Sequence, residues 1–234
     1  MARPTGGYYD EAGNKLLGST SVLKYLSFID SDALCGWAEK LAKQGLSWRK
    51  VRSEAGAHGS MLHDLCEDRL PHALDAVKDK PEKATPEAWE KLQLSYAAIR
   101  TWFLLHEPKV VFHEEPLVSR EFGFAGTPDG VAIFPRDIPE YGVVAGRHWL
   151  YDYKSGKMVG AKEVCQMASY RQLLKETRDI EVDGAILIHA PTAEPGYMRP
   201  VVLSSATLDL GWEGFRAGQL VASLAPRLVA ATEA

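Results

Sequence analysis

The chain has 234 residues, of which 46% are hydrophobic and 25% are charged. This composition is typical of a globular protein and excludes a disordered chain, a collagen and a small disulfide-stabilised protein. Lysine and arginine together number 27 against 31 aspartates and glutamates, a net charge of -4, so any nucleic-acid partner must be bound by a local basic patch.

Residues 1–18 are rich in glycine and tyrosine, and we predict an irregular N-terminus there. Helices are then predicted over about 22–29, 32–45, 57–70 and 86–105. Pro86 suits the first turn of the last of these helices, with Thr85 as its N-cap.

After Pro108 the chain becomes rich in valine, isoleucine and phenylalanine, which favours strands. Strands are predicted over 109–119, 122–134, 148–156, 184–190 and 199–205, with a loop over 135–147 and helices over 161–177 and about 208–231. This order predicts an α/β fold with a mixed sheet flanked by helices. We expect a single domain over 19–234, with a helical cap over about 19–107 and a catalytic sheet core over about 108–234.

The three cysteines, Cys35, Cys66 and Cys165, are far apart and include no C-x-x-C pair. This spacing argues against a disulfide framework and against an iron–sulfur cluster. The opening residues carry no apolar signal segment, and no apolar run reaches the ~18 residues of a membrane span. We therefore predict a cytoplasmic protein with no membrane partner.

The segment YDYKSGK, residues 151–157, carries charged residues at the end of a predicted strand. Because alternate residues of a strand share a face, Asp152 and Lys154 should point the same way as Leu150. A carboxylate and an ammonium group so placed can hold a divalent cation and orient a water or a phosphate. The triplet alone is also typical of a surface ion pair.

Asp129 lies in the segment GTPDG, residues 126–130, which alone is typical of a turn. Strands that follow each other in the chain usually pair, so we expect Asp129 to lie beside Asp152 and Lys154. Neighbouring carboxylates repel each other unless a cation lies between them. Mg²⁺ prefers such a site, with one or two carboxylates, waters and a substrate phosphate.

These motifs resemble those of the PD-(D/E)xK nuclease superfamily, and more closely its RecB-type branch, which includes many phage exonucleases. The matching segments are GTPDG at 126–130, DYK at 152–154, Q-x-x-x-Y at 166–170, G-S-x-x-H-x-x-x-E at 59–67 and E-x-P-L at 114–117. The resemblance covers about residues 20–190. It implies a restriction-endonuclease-like core, DNA as the substrate and Mg²⁺ or Mn²⁺ as the cofactor, with no iron–sulfur cluster.

The resemblance also implies a role for each matching residue. The implied metal ligands are the side chains of His63, Asp129 and Asp152 and the main-chain carbonyl of Tyr153. Lys154 would orient or activate the attacking water and stabilise charge on the phosphate. Glu114 would hold a water or a second ion, although strand alternation leaves Glu115 as a competitor for that role. The resemblance favours Glu114, because it lies two residues before Pro116 as in the family pattern.

Gln166 and Tyr170 are four residues apart on a predicted helix and therefore share one face. The resemblance implies that this pair either contacts DNA or supports the site, and a core position for Tyr170 is the simpler alternative.

The strongest basic tract outside the predicted core consists of Arg49, Lys50 and Arg52. Together with Lys154, Lys157, Lys162 and Arg171 it could form a track for phosphates, although a solvated helix face is the more common explanation of such a tract. Trp48 lies beside this tract and could stack on an unpaired base.

Taken together, the motifs predict a metal-dependent DNA nuclease, in particular an exonuclease that acts on DNA ends in phage-type recombination, replication or repair. Two alternatives stay open: a catalytically silent scaffold that binds DNA ends, and a metal-dependent hydrolase of another phosphate ester. A single-strand-annealing recombination protein is a partner by analogy only, in the host cytoplasm if the chain is phage-encoded. The motifs determine neither strand preference nor oligomeric state.

Overall fold

The computed structural model describes residue 4 and residues 6–70, 80–82, 84–156 and 159–233. These residues form a mixed α/β structure with two mixed sheets and six α-helices, which agrees with the predicted fold class. Among the described residues, no helix combines the length and the apolar character that crossing a membrane would require.

The bounds of the elements follow the chain order. The strands are β1 Tyr8–Tyr9, β2 Lys15–Gly18, β3 Lys109–His113, β4 Leu117–Ser119, β5 Phe124–Gly126, β6 Gly130–Ile133, β7 His148–Lys154, β8 Gly184–His189 and β9 Arg199–Ser204. The α-helices are α1 Ser19–Val22, α2 Ser31–Lys43, α3 Trp48–Arg69, α4 Pro86–His106, α5 Ala161–Arg178 and α6 Ser205–Glu233. Two 3-10 helices cover Leu23–Asp30 and Pro139–Tyr141.

The larger sheet has five strands in the order β3-β6-β7-β8-β9. β7 pairs antiparallel with β6 and parallel with β8. A parallel pair requires a crossover connection, and α5 supplies it between β7 and β8. The predicted pairing of the strand after Asp129 with the strand that carries Asp152 is therefore confirmed.

Each face of this sheet is covered by helices. Trp149, Tyr151 and Tyr153 of β7 belong to a buried cluster with residues of α3 and α4. Leu150, between them in the sequence, belongs to the opposite cluster with residues of α5 and α6. The alternation of β7 thus places the even-numbered residues, including Asp152 and Lys154, on the α5 side of the sheet.

Two predicted strands are each divided by a proline. The strand predicted over 109–119 is broken at Pro116, and the one over 122–134 is broken at Pro128. Proline has no N–H to donate to a sheet, so pairing stops there. The pieces β4 and β5 pair with each other in a second, four-stranded sheet of order β1-β2-β5-β4, a partition that the sequence pattern does not predict.

The prediction of an irregular N-terminus over residues 1–18 is corrected by the strands β1 and β2. β1 pairs antiparallel with β2, and β2 pairs parallel with β5, so the opening hairpin belongs to the second sheet. The hydroxyl groups of Tyr8 and Thr127 lie 2.9 Å apart, which joins the hairpin to the segment before Asp129.

The helices agree with the prediction except at their bounds. α4 begins at Pro86, and Thr85 caps it by accepting a hydrogen bond from the N–H of Ala88 at 3.2 Å, as predicted. α3 begins at Trp48 rather than near residue 57. Its first turns carry few apolar residues, so hydrophobic periodicity predicts a start that is too far along the chain.

Candidate active site

A cleft of about 1390 Å³ opens where α3, α5 and the end of β7 meet. Its lining includes His63 and Glu67 from α3, Asp152 and Lys154 from β7, and Gln166 from α5. The cleft therefore gathers residues from both helical layers at one end of the central sheet.

Asp129 is the most enclosed of the predicted ligands, with 1% of its surface exposed. Its Oδ2 atom accepts a hydrogen bond from the main-chain N–H of Tyr153 at 2.9 Å. The same oxygen lies 2.8 Å from Nε2 of His63. Through these two contacts, Asp129 attaches the turn before β6 to both β7 and α3.

His63 connects two carboxylates. Its Nε2 faces Asp129, and its Nδ1 contacts the Oε1 atom of Glu67 one helical turn further on. Ligand atoms of these three residues all lie within 4.8 Å of one another. One imidazole and two carboxylates suit a divalent cation such as Mn²⁺, and the carboxylates suit Mg²⁺ as well. The donor set therefore fits the predicted cofactors.

Asp152 and Lys154 form an ion pair on the α5 side of the sheet, with Nζ of Lys154 2.5 Å from Oδ2 of Asp152. Burial, and next the charge of Asp129, raise the pKa of the Asp152 carboxyl to about 6, although Lys154 opposes the rise. Burial acts to lower the pKa of Lys154, but the attraction of Asp152 and Asp129 outweighs it and raises that pKa above its usual value. Lys154 is therefore held as a cation.

A chain of hydrogen bonds fixes Lys154 to α5. Nζ of Lys154 donates to Oε1 of Gln166 at 2.9 Å, and Nε2 of Gln166 donates to the hydroxyl of Tyr170 at 2.9 Å. Tyr170 is buried. This geometry favours support of the site over direct DNA contact for Tyr170, which is the second of the two predicted roles.

The two neighbouring glutamates point in different directions. Glu114 is 8% exposed, lines the cleft, and its N–H donates to the carbonyl oxygen of Asp129 at 3.2 Å. Glu115 instead forms an ion pair with Arg178 at the end of α5. Glu114 is therefore the glutamate that faces the site, as the sequence pattern favours.

The basic tract lies on the first turns of α3, away from His63, Glu67 and Asp129, which we call the ligand group. Arg52 lines the cleft, whereas Lys50 lies 3.9 Å from Glu54 in an exposed ion pair. The guanidinium of Arg49 lies 4.8 Å above the ring of Trp48. Lys157 lies outside the described residues, and the role predicted for the Tyr153 carbonyl stays a prediction.

Glu67 is a candidate ligand that the sequence pattern presents only as part of a motif. The sequence feature that could identify it as a ligand is its spacing of four from His63, because residues four apart on a helix are neighbours. In the structure, the two residues at this spacing are in contact, through Nδ1 of His63 and Oε1 of Glu67.

His189, at the end of β8, is a second polar residue near the site that the sequence does not single out. Its Nε2 atom lies 2.7 Å from the carbonyl oxygen of Gly156, and its Nδ1 atom accepts a hydrogen bond from Nε of Arg199 at 3.3 Å. Because a carbonyl oxygen can only accept, Nε2 must carry the proton. Nothing in the sequence indicates this contact.

Comparison with protein-family models and with curated proteins gives no match for this chain. The family resemblance and the roles that it implies therefore stay predictions.

Proposed function

We propose that the chain is a metal-dependent DNA nuclease of the RecB-type PD-(D/E)xK kind. The observation that carries the proposal is the convergence of two groups on one cleft. The first is the ligand group of His63, Glu67 and Asp129, and the second is the ion pair of Asp152 and Lys154. They come from α3, from the turn before β6 and from β7, so only the fold brings them together.

The sheet order supports the same proposal. β3, β6 and β7 form an antiparallel unit, and α5 then leads to β8, which pairs parallel with β7. This arrangement agrees with the restriction-endonuclease-like core that we propose, with Asp152 and Lys154 on the central strand.

A bound divalent cation would supply a Lewis acid that lowers the pKa of a water and neutralises phosphate charge. His63, Glu67 and Asp129 would hold the ion, and Asp152 would join them when ionised. Lys154 would orient the attacking water by hydrogen bonding and stabilise charge on the phosphate oxygens.

Two further residues would maintain this arrangement. Gln166 holds the ammonium group of Lys154 in place from α5. Glu114 faces the cleft and would accept a hydrogen bond from a water beside the phosphate, or join a second ion. Action on DNA ends, and a single-strand-annealing protein as a partner, extend the proposal by resemblance alone.

The test compares Lys154→Ala with Asp129→Ala. The lysine variant should bind Mn²⁺ by titration calorimetry but lose cleavage of linear DNA, whereas the aspartate variant should lose both. Lys175→Ala is the matched control, because this lysine is exposed on α5 and pairs with Glu181. Full hydrolysis by the Lys154 variant would refute the assigned role of the lysine.

The substrate class needs its own measurement. End-labelled linear DNA, circular DNA and a small phosphomonoester should each be incubated with Mn²⁺, with Mg²⁺ and with EDTA. Cleavage of linear DNA that EDTA abolishes supports the nuclease, and products that shorten from the label support an exonuclease. Binding of DNA ends without hydrolysis would favour a silent scaffold, and hydrolysis of the monoester alone would favour another phosphate-ester hydrolase.

A further inference from the structure

We infer that the substrate strand enters the cleft unpaired and lies along α3, with its bases against Trp37 and Trp48 and a phosphate at Arg52. The inference rests on the proposed function, because it names the form of DNA that the same cleft would take. It concerns the end of the cleft opposite the ligand group.

One face of α3 forms a continuous wall from the ligand group to the basic tract. The residues on this wall recur every three or four positions, as neighbours on one helix face do. They are Val51, Arg52, Ala55, Gly56, Gly59, Ser60, His63, Asp64 and Glu67. Arg52 lies eleven residues before His63, which is about 16 Å along the helix axis at ~1.5 Å per residue. This length matches about five stacked nucleotides at ~3.4 Å each.

Aromatic side chains lie at the basic end of this wall. Trp37 of α2 lines the cleft, and Trp48 is 36% exposed one helical turn before Arg52. The guanidinium of Arg49 lies 4.8 Å above one face of the Trp48 ring. Bases within a duplex have their faces covered by the neighbouring base pairs, so bases of an unpaired strand are the ones free to stack on such surfaces.

The charges in the cleft are divided between its two ends. Within the described parts of the chain, Arg49 and Arg52 take part in no ion pair, in contrast to Lys50 with Glu54. The rest of the lining carries one lysine, Lys154, against five carboxylates, those of Asp64, Glu67, Glu114, Asp152 and Glu163. Phosphates can approach the carboxylates only through a cation. A strand would therefore be held at two separate points, by arginine at one end and by the cation at the other.

α3 also approaches the end of β7 very closely. A Cβ atom added to Gly59 would lie 2.5 Å from Oγ of Ser155, whereas one added to Gly56 would meet no atom within 4 Å. The lack of a side chain at Gly59 lets these two elements approach each other, and the surface of α3 at Gly56 is open. A single strand can follow that open surface from Gly56 to Arg52.

The experiment measures binding by fluorescence anisotropy in EDTA, where cleavage is prevented. The probes are a twelve-nucleotide oligothymidylate, an abasic strand with the same phosphates, and a duplex of equal length. The wild-type protein should bind oligothymidylate the most tightly. Trp48→Ala and Trp37→Ala should each weaken that binding by about 5- to 150-fold, the range for loss of one stacked base, and should change binding of the abasic strand little.

Matched variants separate stacking from charge and from folding. Trp37→Phe and Trp48→Phe should keep most of the affinity, because phenylalanine retains an aromatic face. Arg52→Ala should weaken binding of oligothymidylate and of the abasic strand alike, and should reduce the slope of log affinity against log salt by about 0.7. Tyr9→Ala, which removes an exposed aromatic side chain on β1 rather than on α2 or α3, should change neither the affinity nor the salt slope.

Equal affinity of the wild-type protein for oligothymidylate and for the abasic strand would overturn the inference, as would tightest binding of the duplex. The proposed function has a separate readout in Mn²⁺-dependent cleavage. Cleavage without any dependence on bases would leave the nuclease proposal standing and the inference refuted. Tryptophan-dependent binding without cleavage would refute the nuclease and retain the single-strand groove.

Discussion

Replacement of Asp152 by asparagine should change how the stability of the metal-free protein depends on pH. The Asp152 carboxyl is 2% exposed, and burial together with the charge of Asp129 raises its pKa from 3.8 to about 6. A carboxyl whose pKa rises on folding binds its proton more tightly in the folded state. Its contribution to stability is therefore present at low pH and is lost as the pH rises from 3.8 to about 6.

The size of the effect follows from the pKa. A rise from 3.8 to about 6 corresponds to a loss of about 3 kcal/mol once Asp152 is ionised. For a chain of this length that loss lowers the melting temperature by about 6–12 °C. Asparagine does not titrate, and Lys154 stays protonated over this range, so position 152 contributes no pH dependence to the stability of the variant.

The assay is denaturant unfolding in EDTA at intervals between about pH 3 and about pH 7, which bracket the two pKa values. The difference in unfolding free energy between Asp152→Asn and the wild type should move by about 3 kcal/mol in favour of the variant across this interval. Asp183→Asn is the control, because this aspartate is exposed and pairs only loosely with Arg147 at 3.6 Å. Parallel pH profiles for Asp152→Asn and the wild type would refute the reasoning.

Three other substitutions, the first of them with a matched control, test the support of the site. Gly126→Ala should destabilise the protein by about 1–3 kcal/mol in denaturant unfolding, because the added Cβ would lie 2.7 Å from a ring carbon of Tyr170. The control is Gly36→Ala, in an open helix position, which should stabilise the protein by about 1 kcal/mol. Gln166→Leu should lower kcat by about 10- to 100-fold without changing Mn²⁺ affinity, because Lys154 loses a charged hydrogen bond; unchanged turnover would contradict this role. Glu67→Gln should weaken Mn²⁺ binding in calorimetry by about 10- to 100-fold, and equal affinity would remove Glu67 from the ligand group.

The elements that the sequence predicts well are those whose pattern reports local burial. β7 alternates between two buried faces, so its period of two is enough to predict that Asp152 and Lys154 lie on the same side. α4 has Pro86 and Thr85 at its start, and both act locally. The orientation of Glu114 agrees with its position two residues before Pro116, the spacing on which the resemblance relies.

The elements that the sequence predicts poorly depend on contacts distant in the chain. The partition of β4 and β5 into a second sheet requires β2 as a parallel partner, and nothing near residue 120 indicates that pairing. Glu67 joins the site only because α3 packs so that His63 reaches Asp129. Hydrophobic periodicity locates a helix face but does not specify which distant turn that face meets.

The contact between Tyr8 and Thr127 joins residues 119 positions apart. The parallel partner of the opening hairpin, β5, lies about a hundred residues further along the chain. Closing so long a loop is slow, so we expect the hairpin to dock late in folding. Because this hairpin contacts the segment before Asp129, deletions within residues 8–18 should disturb the turn that carries Asp129.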